Sequence, residues 1–403
     1  MDRVRVVHVI TRFDKGGSAE NTFLTVTGLD PARYETYLLA GSDGRDTAAA
    51  VSTPSAESAA AEENMARVQA AGVKTFIVPE LVRPVAPLRD LRAFLRIRGL
   101  IRRLAPQIVH THTSKAGIIG RLAAFSAGVP VVVHTPHGHV FWGYFGAVAS
   151  RFFITLEKSA SRLTDRLIML TGQEKADHLR YRIAPPDKFV VIHSGVCLEP
   201  FLQITAADSR PDSDPAFPPD SFVIGTIGRL TAIKGQSYLL EAAAGLLREI
   251  PELICIIVGE GELRRELAAR AASLGMGERA FFPGWRRDVP SYMAALDLFV
   301  MPSLNEGMGR VVVEAMAAGR AVIASDVGGL RDLVVHGENG LLVPPGNAAA
   351  LAAAIRTLYR DPKRRRIMGQ NGRMKAPAFS AAAMIKKIDE LYMNLLREKH
   401  VCR

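Results

Sequence analysis

Cysteine is scarce in this chain, which has three cysteines among 403 residues: Cys197, Cys255 and Cys402. Their odd number and wide spacing exclude a disulfide framework, and no Cys-x-x-Cys pair is present to hold zinc. We therefore expect a reducing, cytoplasmic location. Long apolar runs are also lacking, since none approaches the ~20 residues that span a bilayer. The N-terminal apolar segment is too short and too often interrupted to be a signal peptide.

Acidic residues are fewer than basic ones, 40 against 51, and the net charge is +11 at pH 7. A basic protein of this kind meets nucleic acid, anionic lipid or phosphorylated substrates. No zinc-finger, RNP-type or basic-zipper motif is present, so we expect no nucleic-acid partner. Substrate phosphates and a membrane surface are left to explain the charge.

Short apolar runs alternate with segments of helical periodicity along most of the chain. A turn-rich stretch with four prolines, residues 203–221, interrupts the alternation, which then resumes. This pattern is typical of parallel sheets covered on both faces, and it predicts two doubly wound α/β domains in series. The predicted strands are 4–10, 37–40, 75–78, 108–112, 131–135, 167–171 and 189–193, then 222–227, 253–258, 280–283, 298–301, 321–324 and 340–343.

Three further segments carry local predictions. Residues 44–63, rich in Ala, Ser, Glu and Thr, are expected to form a mobile loop without chemistry. Residues 380–398 form a predicted amphipathic helix that needs a surface to pack on. Residues 88–104 form a basic amphipathic helix with six arginines and one aspartate. Such a helix can lie on anionic lipid, although a core-facing helix with a basic outer face is the commoner case.

Residues 305–319, Asn-Glu-Gly-Met-Gly-Arg-Val-Val-Val-Glu-Ala-Met-Ala-Ala-Gly, are the most informative segment. Glu306 lies in a glycine-broken loop after an apolar strand, and Glu314 lies on the following helix. Gly307 and Gly309 let the backbone approach a ligand, and the helix start favours phosphate. At the rise per residue of an α-helix, the two carboxylates would lie about 10 Å apart. This separation suits a nucleotide-sugar, which has sugar hydroxyls at one end and ribose hydroxyls at the other.

Three further segments add candidate contacts to the nucleotide or its phosphates. In residues 225–235, Gly-Thr-Ile-Gly-Arg-Leu-Thr-Ala-Ile-Lys-Gly, Arg229 and Lys234 follow a buried strand and would neutralise a diphosphate. Residues 256–263 form a strand, a tight glycine turn and a helix, as nucleotide-binding sheets do. Gly16 and Gly17 follow the first strand, where their N–H groups can face phosphate, although a plain turn is the competing explanation.

Histidines cluster in the first half, at 110, 112, 134, 137 and 139. His110 and His112 share one face of a strand, which raises the idea of a zinc site. The segment continues Thr-Ser-Lys, without the acidic residue of a metallohydrolase His-x-His-x-Asp-His run. We therefore predict no metal site and interpret His110 and His112 as strand-end residues.

Together these motifs resemble the retaining glycosyltransferases of family 4, over residues 16–343 and most strongly after residue 222. The resemblance implies the GT-B fold, an α/β architecture of two Rossmann-like doubly wound domains facing across a cleft. The N-terminal, acceptor-side domain would comprise residues 1–195, joined by the C-terminal helix at 380–403. Residues 196–379 would form the nucleotide-sugar-binding domain. Cys197 departs from the usual Asp, and Met308 from the usual aromatic residue or Leu.

The resemblance also implies a reaction. A hexose would move from a UDP- or GDP-sugar to a hydroxyl acceptor, with retained anomeric configuration and with no metal or other cofactor. The acceptor would be a lipid-linked or growing glycan of envelope or exopolysaccharide synthesis, met at the inner membrane face. The implied catalytic residues are His137, Arg229, Lys234 and Glu306. The implied donor-binding residues are Gly16, Gly17, Gly228, Gly261, Gly307, Met308, Gly309, Arg310 and Glu314, and Lys115 is expected on the acceptor side.

Three other functions stay open at this stage. A GT-B sugar-nucleotide epimerase would act on the donor alone. A non-catalytic glycan- or membrane-binding protein would keep the fold without the chemistry. A metallohydrolase would need the metal that the histidine pattern does not favour.

Overall fold

The protein is described by a computed structural model that covers residues 3–14, 16–42, 56–138, 146–204, 218 and 220–401. Its contacts divide the chain into two compact units. The first domain comprises Met1–Gly195 and Ala381–Arg403, and the second comprises Val196–Ser380. Most of the proline-rich connection predicted at 203–221 lies outside the described residues.

In the part of the chain that the structure describes, seven parallel strands and six connecting helices build the first domain, and a seventh helix, α15 (Ala381–Glu398), returns to it. The strand order is β3-β2-β1-β4-β5-β6-β7, so it reverses direction between β1 and β4. The elements are β1 Val4–Ile10, α1 Gly17–Gly28, β2 Tyr34–Gly41, α2 Ala56–Ala70, β3 Lys74–Val78, α3 Pro87–Leu104, β4 Ile108–His112, α4 Ser114–Ser126, β5 Val131–Thr135, α5 Ala147–Ser161, β6 Arg166–Met169, α6 Gly172–Arg180 and β7 Phe189–Val191.

Among the described residues of the second domain, six parallel strands form the sheet, in the order β10-β9-β8-β11-β12-β13. Here the order reverses between β8 and β11. The elements are α7 Glu199–Leu202, β8 Phe222–Ile227, α8 Gln236–Leu246, β9 Leu253–Val258, α9 Arg264–Ser273, β10 Ala280–Gly284, α10 Val289–Ala295, β11 Leu298–Met301, α11 Arg310–Ala317, β12 Ala321–Ser325, α12 Leu330–Leu333, β13 Gly340–Val343, α13 Ala348–Arg360 and α14 Pro362–Lys375, and α15 Ala381–Glu398 then follows in the first domain.

All predicted strands are present, with shifts of up to three residues at their ends. The strand predicted at 167–171 ends at Met169 because Thr171 caps α6, its hydroxyl accepting from the Glu174 N–H. The prediction of a loop at 44–63 is wrong over 56–63, since α2 begins at Ala56. The alanines and glutamates there favour a helix. Residues 44–55 lie outside the described part of the chain.

Helix α15 completes the core of the first domain. Its buried face packs on residues of β1, β2, β4 and β5, and includes Met384, Ile388, Leu391, Tyr392 and Leu395. The exposed side is fixed at Asp389, whose carboxylate accepts from Tyr34 at 2.5 Å and pairs with Arg33 at 2.7 Å. The amphipathic helix predicted at 380–398 is therefore present, and its apolar face packs on the first domain.

A buried ion pair joins α4 to α5. The Arg121 guanidinium, fully buried, donates two hydrogen bonds of 2.8 Å to the two carboxylate oxygens of Glu157. Its Nε donates to the Gly117 carbonyl at 2.8 Å. Burial alone would raise the pKa of Glu157, but Arg121 outweighs it and the pKa is lowered from 4.5 to about 2. The bidentate geometry offsets the cost of burying both charges.

Arg121→Met is expected to destabilise the first domain by about 3–5 kcal/mol, because Glu157 is left as an unpaired buried charge. Native-state amide exchange in α4 and α5 measures this loss. The pair's stabilisation should be present above pH 4.5, the ordinary pKa of the carboxyl, and disappear as the pH falls towards 2, because the pKa is lowered in the folded state.

Arg96→Met is the matched control, since Arg96 pairs with Glu80 at 3.1 Å on the surface of the same domain. Its loss should stay below about 1 kcal/mol. Equal losses in the two variants would show that the buried pair contributes no more than a surface pair.

Candidate functional site

The second domain brings its predicted site residues to one edge of its sheet. The strands are parallel, so the loops that follow β8 and β11 leave neighbouring strands at the same edge. The strand order reverses between these two strands, and in open α/β sheets ligands bind at such a point. Arg229 and Lys234 follow β8, and Glu306 and Gly307 follow β11.

An ion pair joins the two loops. Lys234 Nζ lies 2.5 Å from Glu306 Oε2, and the Ser303 hydroxyl donates to the same oxygen at 3.2 Å. The side chains of Lys234 and Glu306 are 25% and 12% exposed, so the pair is largely sheltered yet reachable. The structure therefore places the cation predicted for phosphate directly beside the carboxylate predicted for the sugar.

Backbone contacts fix this arrangement. The Leu304 N–H donates to the Ile233 carbonyl at 2.8 Å, and the Gly329 N–H donates to the Glu306 carbonyl at 3.1 Å. Gly235 and Gly328 both have positive φ, and a Cβ on either would overlap a carbonyl oxygen, that of Pro302 and that of Glu306 respectively. Glycine is thus required at both positions for the loops to approach each other.

The other predicted residues of this domain have different surroundings. Arg229 is exposed, whereas Arg310 and Glu314 are half-buried on α11, which begins directly after Gly309. Met308 is buried in the core, so a donor contact from this residue would have to come from its backbone. Met308 fills the place of the family's aromatic residue or Leu by apolar packing.

The predicted glycines divide into open and packed positions. A Cβ on Gly16, Gly17, Gly228 or Gly307 would meet no atom within 4 Å. In contrast, a Cβ on Gly261 would overlap the Leu230 backbone, and one on Gly309, whose φ is 71°, would overlap Leu330. Gly261 and Gly309 are therefore explained by close packing against neighbouring residues of the same domain. Their contacts with the donor stay predictions.

Histidines occupy the corresponding edge of the first domain. His8 on β1 pairs in register with His110 on β4, at the point where the strand order reverses. His8 Nδ1 lies 3.0 Å from His112 Nε2, and His112 Nδ1 lies 2.9 Å from His137 Nε2. We call these three hydrogen-bonded residues the histidine chain. His8 and His112 are fully buried, and His137 is half-buried.

His137 is also held through its backbone. Its φ of 59° is left-handed, a conformation that costs of order 1–3 kcal/mol outside glycine and persists where neighbours fix it. The next N–H, of Gly138, donates to Glu174 Oε1 at 2.9 Å, and that of Leu170 donates to Oε2 at 2.7 Å. Burial raises the pKa of Glu174 to about 7, although these two bonds oppose the shift.

The side-chain nitrogens of His8, His110 and His112 lie within 4.8 Å of one another, close enough to consider a metal ion. However, His110 bonds the Tyr392 hydroxyl at 2.6 Å and the Thr135 hydroxyl at 2.8 Å. His8 and His112 are bonded to each other, with nearly parallel rings at 17°. An ion here would have to replace these hydrogen bonds, and that the protein works without metal stays a prediction.

Lys115 pairs with Asp90 at 2.5 Å and donates to the Pro84 carbonyl. These contacts give Lys115 a structural role between α3 and α4, and its acceptor role stays a prediction. Sequence reasoning missed His8, Ser303 and Glu174. A histidine within the apolar run of β1 was the available signal for His8, while the other two need the fold.

Two family models match the chain in succession. Residues 15–200 match Glycosyltransferase Family 4, and residues 210–375 match Glycosyl transferases group 1. Among solved structures, Anabaena HepE in complex with UDP-glucose gives a TM-score of 0.76 over 97% of this chain and 100% of that one. At 22% identity, this likeness shows the shared GT-B fold.

Named relatives span most of the chain. It is 33% identical to the UDP-Gal:alpha-D-GlcNAc-diphosphoundecaprenol alpha-1,3-galactosyltransferase of Escherichia coli, over 81% of this chain and 85% of the relative. It is 27% identical to the capsular polysaccharide biosynthesis glycosyltransferase CapM of Staphylococcus aureus, over 80% and 85%. With two Rossmann-like sheets and this similarity to curated enzymes, the chain is a glycosyltransferase of the GT-B fold and belongs to glycosyltransferase family 4.

Proposed function

We propose that this enzyme transfers a hexose from a UDP-sugar to a hydroxyl of a lipid-linked or growing glycan, with retained anomeric configuration and without a metal. The contact between Lys234 and Glu306 carries the proposal. A nucleotide-sugar joins an anionic diphosphate to a polyhydroxylated ring through one bond. Recognition of that bond needs a cation and a hydroxyl-binding carboxylate side by side, and these two residues supply them.

In the proposed mechanism, the anomeric C–O bond breaks, positive charge grows on the sugar and negative charge grows on the departing diphosphate. Lys234 and Arg229 would stabilise the leaving group, and the N-terminus of α11 would add its unpaired N–H groups. Glu306 would hold sugar hydroxyls and orient the anomeric carbon, and His137 would contact the sugar. The acceptor hydroxyl would attack the anomeric carbon from the face that the leaving phosphate vacates and give its proton to an oxygen of that phosphate, which would retain the configuration.

Glu314 would accept hydrogen bonds from the two ribose hydroxyls. It lies on α11, eight residues after Glu306, and is half-buried. The names of the neighbours support the donor and acceptor classes, since HepE was crystallised with UDP-glucose and the E. coli relative is named for UDP-Gal and a diphosphoundecaprenol acceptor. A GT-B epimerase is less favoured because the curated relatives are named as transferases.

The first test is calorimetry with UDP, GDP and ADP in the presence of EDTA. We expect UDP to bind with a Kd of about micromolar, or about −8 kcal/mol, and the other two to bind more weakly. Transfer from UDP-sugars to a polyprenyl-diphosphate-linked sugar, with the product anomer assigned by NMR, then tests retention. Binding of none of the three, or an inverted product, would contradict the proposal.

The two glutamates should separate binding from transfer. Glu314→Ala is expected to weaken UDP binding about 10- to 100-fold, as loss of hydrogen bonds to a charged group does. Glu306→Ala should leave UDP affinity within about twofold and lower kcat about 100-fold or more, because it acts on the sugar. Glu338→Ala, at an exposed glutamate of the same domain, is the control. Equal UDP affinity in wild type and Glu314→Ala would refute the ribose role.

A membrane surface is the second partner that we propose, through the exposed side of α3. The helix buries Ala93, Ile97 and Ile101, so one side of it faces the core, which is the commoner case stated above for residues 88–104. Its outer side nevertheless exposes Leu88, Leu91 and Leu95 among the arginines, and Leu88 is 76% exposed. Phe125 on the adjacent α4 is 64% exposed. Exposed leucines within a basic surface are the combination that binds anionic lipid.

The enzyme should therefore sediment with phosphatidylglycerol vesicles at low salt and be released by about 0.5 M NaCl, which screens the arginines. Replacing Leu88, Leu91 and Leu95 with serine should abolish sedimentation. Met374→Ser, at a residue of the other domain that is 74% exposed, should not. Absence of wild-type sedimentation at low salt would contradict the proposed membrane contact. Among the described residues, no helix has the length and apolarity to cross a bilayer.

A further inference from the structure

The loop between β3 and α3 lies along the carboxyl edge of the first domain's sheet. At the end of β2, a Cβ on Gly41 would overlap the Leu81 carbonyl oxygen of this loop. Further along, the Pro84 carbonyl accepts a hydrogen bond from Lys115 on α4, which begins directly after β4. The loop therefore runs from β3 to β4, past the point at which the strand order reverses, and ligands bind at such points in open α/β sheets.

Both sides of this loop are fixed, so that Arg83 between them has a defined backbone position. Directly before Arg83, Val82 is buried in the domain. After it, the Ala86 N–H donates to Asp90 Oδ2 at 3.1 Å. Pro84 restricts the residue before it to extended conformations. The loop is thus built to present the Arg83 side chain from a fixed backbone.

The charge of Arg83 is not neutralised within the protein. Arg83 and Arg89, which lies in the first turn of α3, are both exposed, and within the described residues neither has a hydrogen-bond or ion-pair partner. The carboxylates nearest in sequence already have cationic partners: Asp90 pairs with Lys115 at 2.5 Å, and Glu80 pairs with another arginine of α3 at 3.1 Å. Two positive charges are therefore available to an anionic ligand at this edge.

Exposed apolar side chains accompany these two arginines. Val85 and Leu88 are 74% and 76% exposed. A diphosphate-linked lipid acceptor joins an apolar chain to a sugar through two phosphates. Guanidinium groups suit phosphate oxygens because their planar fork donates two parallel N–H bonds. The combination of unpaired arginines and exposed apolar residues therefore matches the diphosphate and the chain of such an acceptor.

We propose that Arg83, with Arg89 as a second cation, binds the diphosphate of a lipid-linked acceptor, and that Val85 and Leu88 contact the first units of its chain. This inference rests on the proposed function for the identity of the acceptor. The diphosphate is not itself transferred, so the site sets the affinity for the acceptor and not the rate of the chemical step.

Direct binding tests the site without sugar transfer. Farnesyl diphosphate is a soluble probe with an apolar chain and a diphosphate, and calorimetry with saturating UDP keeps the probe away from the donor's phosphate contacts. We expect Arg83→Gln to weaken its binding about 10- to 100-fold, because charge-assisted hydrogen bonds are lost. Arg89→Gln should weaken it about fivefold, as loss of one exposed charge does. Unchanged affinity in Arg83→Gln would overturn the proposal.

Arg180→Gln is the matched control. It removes the same charge from an exposed arginine of the same domain, in the last turn of α6, and should leave the affinity for farnesyl diphosphate unchanged. Thermal unfolding checks that each variant is folded. Equal weakening in Arg180→Gln and Arg83→Gln would show that only the overall charge matters, and would also overturn the proposal.

Kinetics in non-ionic detergent micelles separate the acceptor's phosphates from its sugar. Two acceptors are compared, a polyprenyl-diphosphate-linked sugar and an alkyl glycoside of the same sugar without phosphate. Arg83→Gln should raise KM for the first about 10- to 100-fold, and leave kcat, the KM for the UDP-sugar and the kcat/KM for the glycoside within about twofold. An equal loss with both acceptors would show that Arg83 does not recognise the phosphates.

Phospholipid headgroups present the same phosphate chemistry to an arginine at a membrane surface. Non-ionic micelles lack them, so an effect of Arg83→Gln that appears only with phosphatidylglycerol vesicles would assign Arg83 to headgroups and overturn the proposal. If farnesyl diphosphate binds through Arg83 but no UDP-sugar is used, the proposed function fails and the site stands. If transfer occurs with equal acceptor KM in wild type and Arg83→Gln, only this inference fails.

Discussion

Parallel strand pairing is the constraint on which the functional edges of both domains depend. Every ladder in the two sheets is parallel, so the carboxyl end of each strand faces the same edge as that of its neighbour. Where the strand order reverses, the following helices diverge to opposite faces and leave an opening. Glu306 and Lys234 meet at such a point in one domain, and His8 and His112 meet at one in the other.

The two domains use these edges differently. The second domain has glycines at its edge, so that two backbone loops approach closely and present one ion pair. The first domain has buried polar side chains there, the histidine chain and Glu174. It also buries the Arg121–Glu157 pair between α4 and α5. Each buried polar group must keep its partners, because an unsatisfied one costs about 1–3 kcal/mol. We therefore expect fewer substitutions to be tolerated at the edge of the first domain than at the edge of the second.

Much of this was predictable from local sequence. Apolar runs located every strand because a buried parallel strand is apolar on both faces, and the Glu306–Glu314 spacing located the loop and helix of the site. Contacts between distant residues were not predictable. Lys115 carries no sign that Asp90 neutralises it, and the bond from His8 to His112 requires the sheet order. Residues 56–63 form part of a helix rather than the predicted loop because their alanines favour a helix, although small polar residues are common in loops.

The return of α15 to the first domain has a consequence for how the protein is made on the ribosome. The first domain's core includes Tyr392 and Leu396, yet these residues are synthesised after the whole second domain. Until then His110 lacks the hydroxyl of Tyr392, and apolar surface on β1 and β4 is uncovered. The second domain can therefore finish folding first during translation, a reversal of the usual N-to-C order. The nascent first domain is the part that a chaperone would shield.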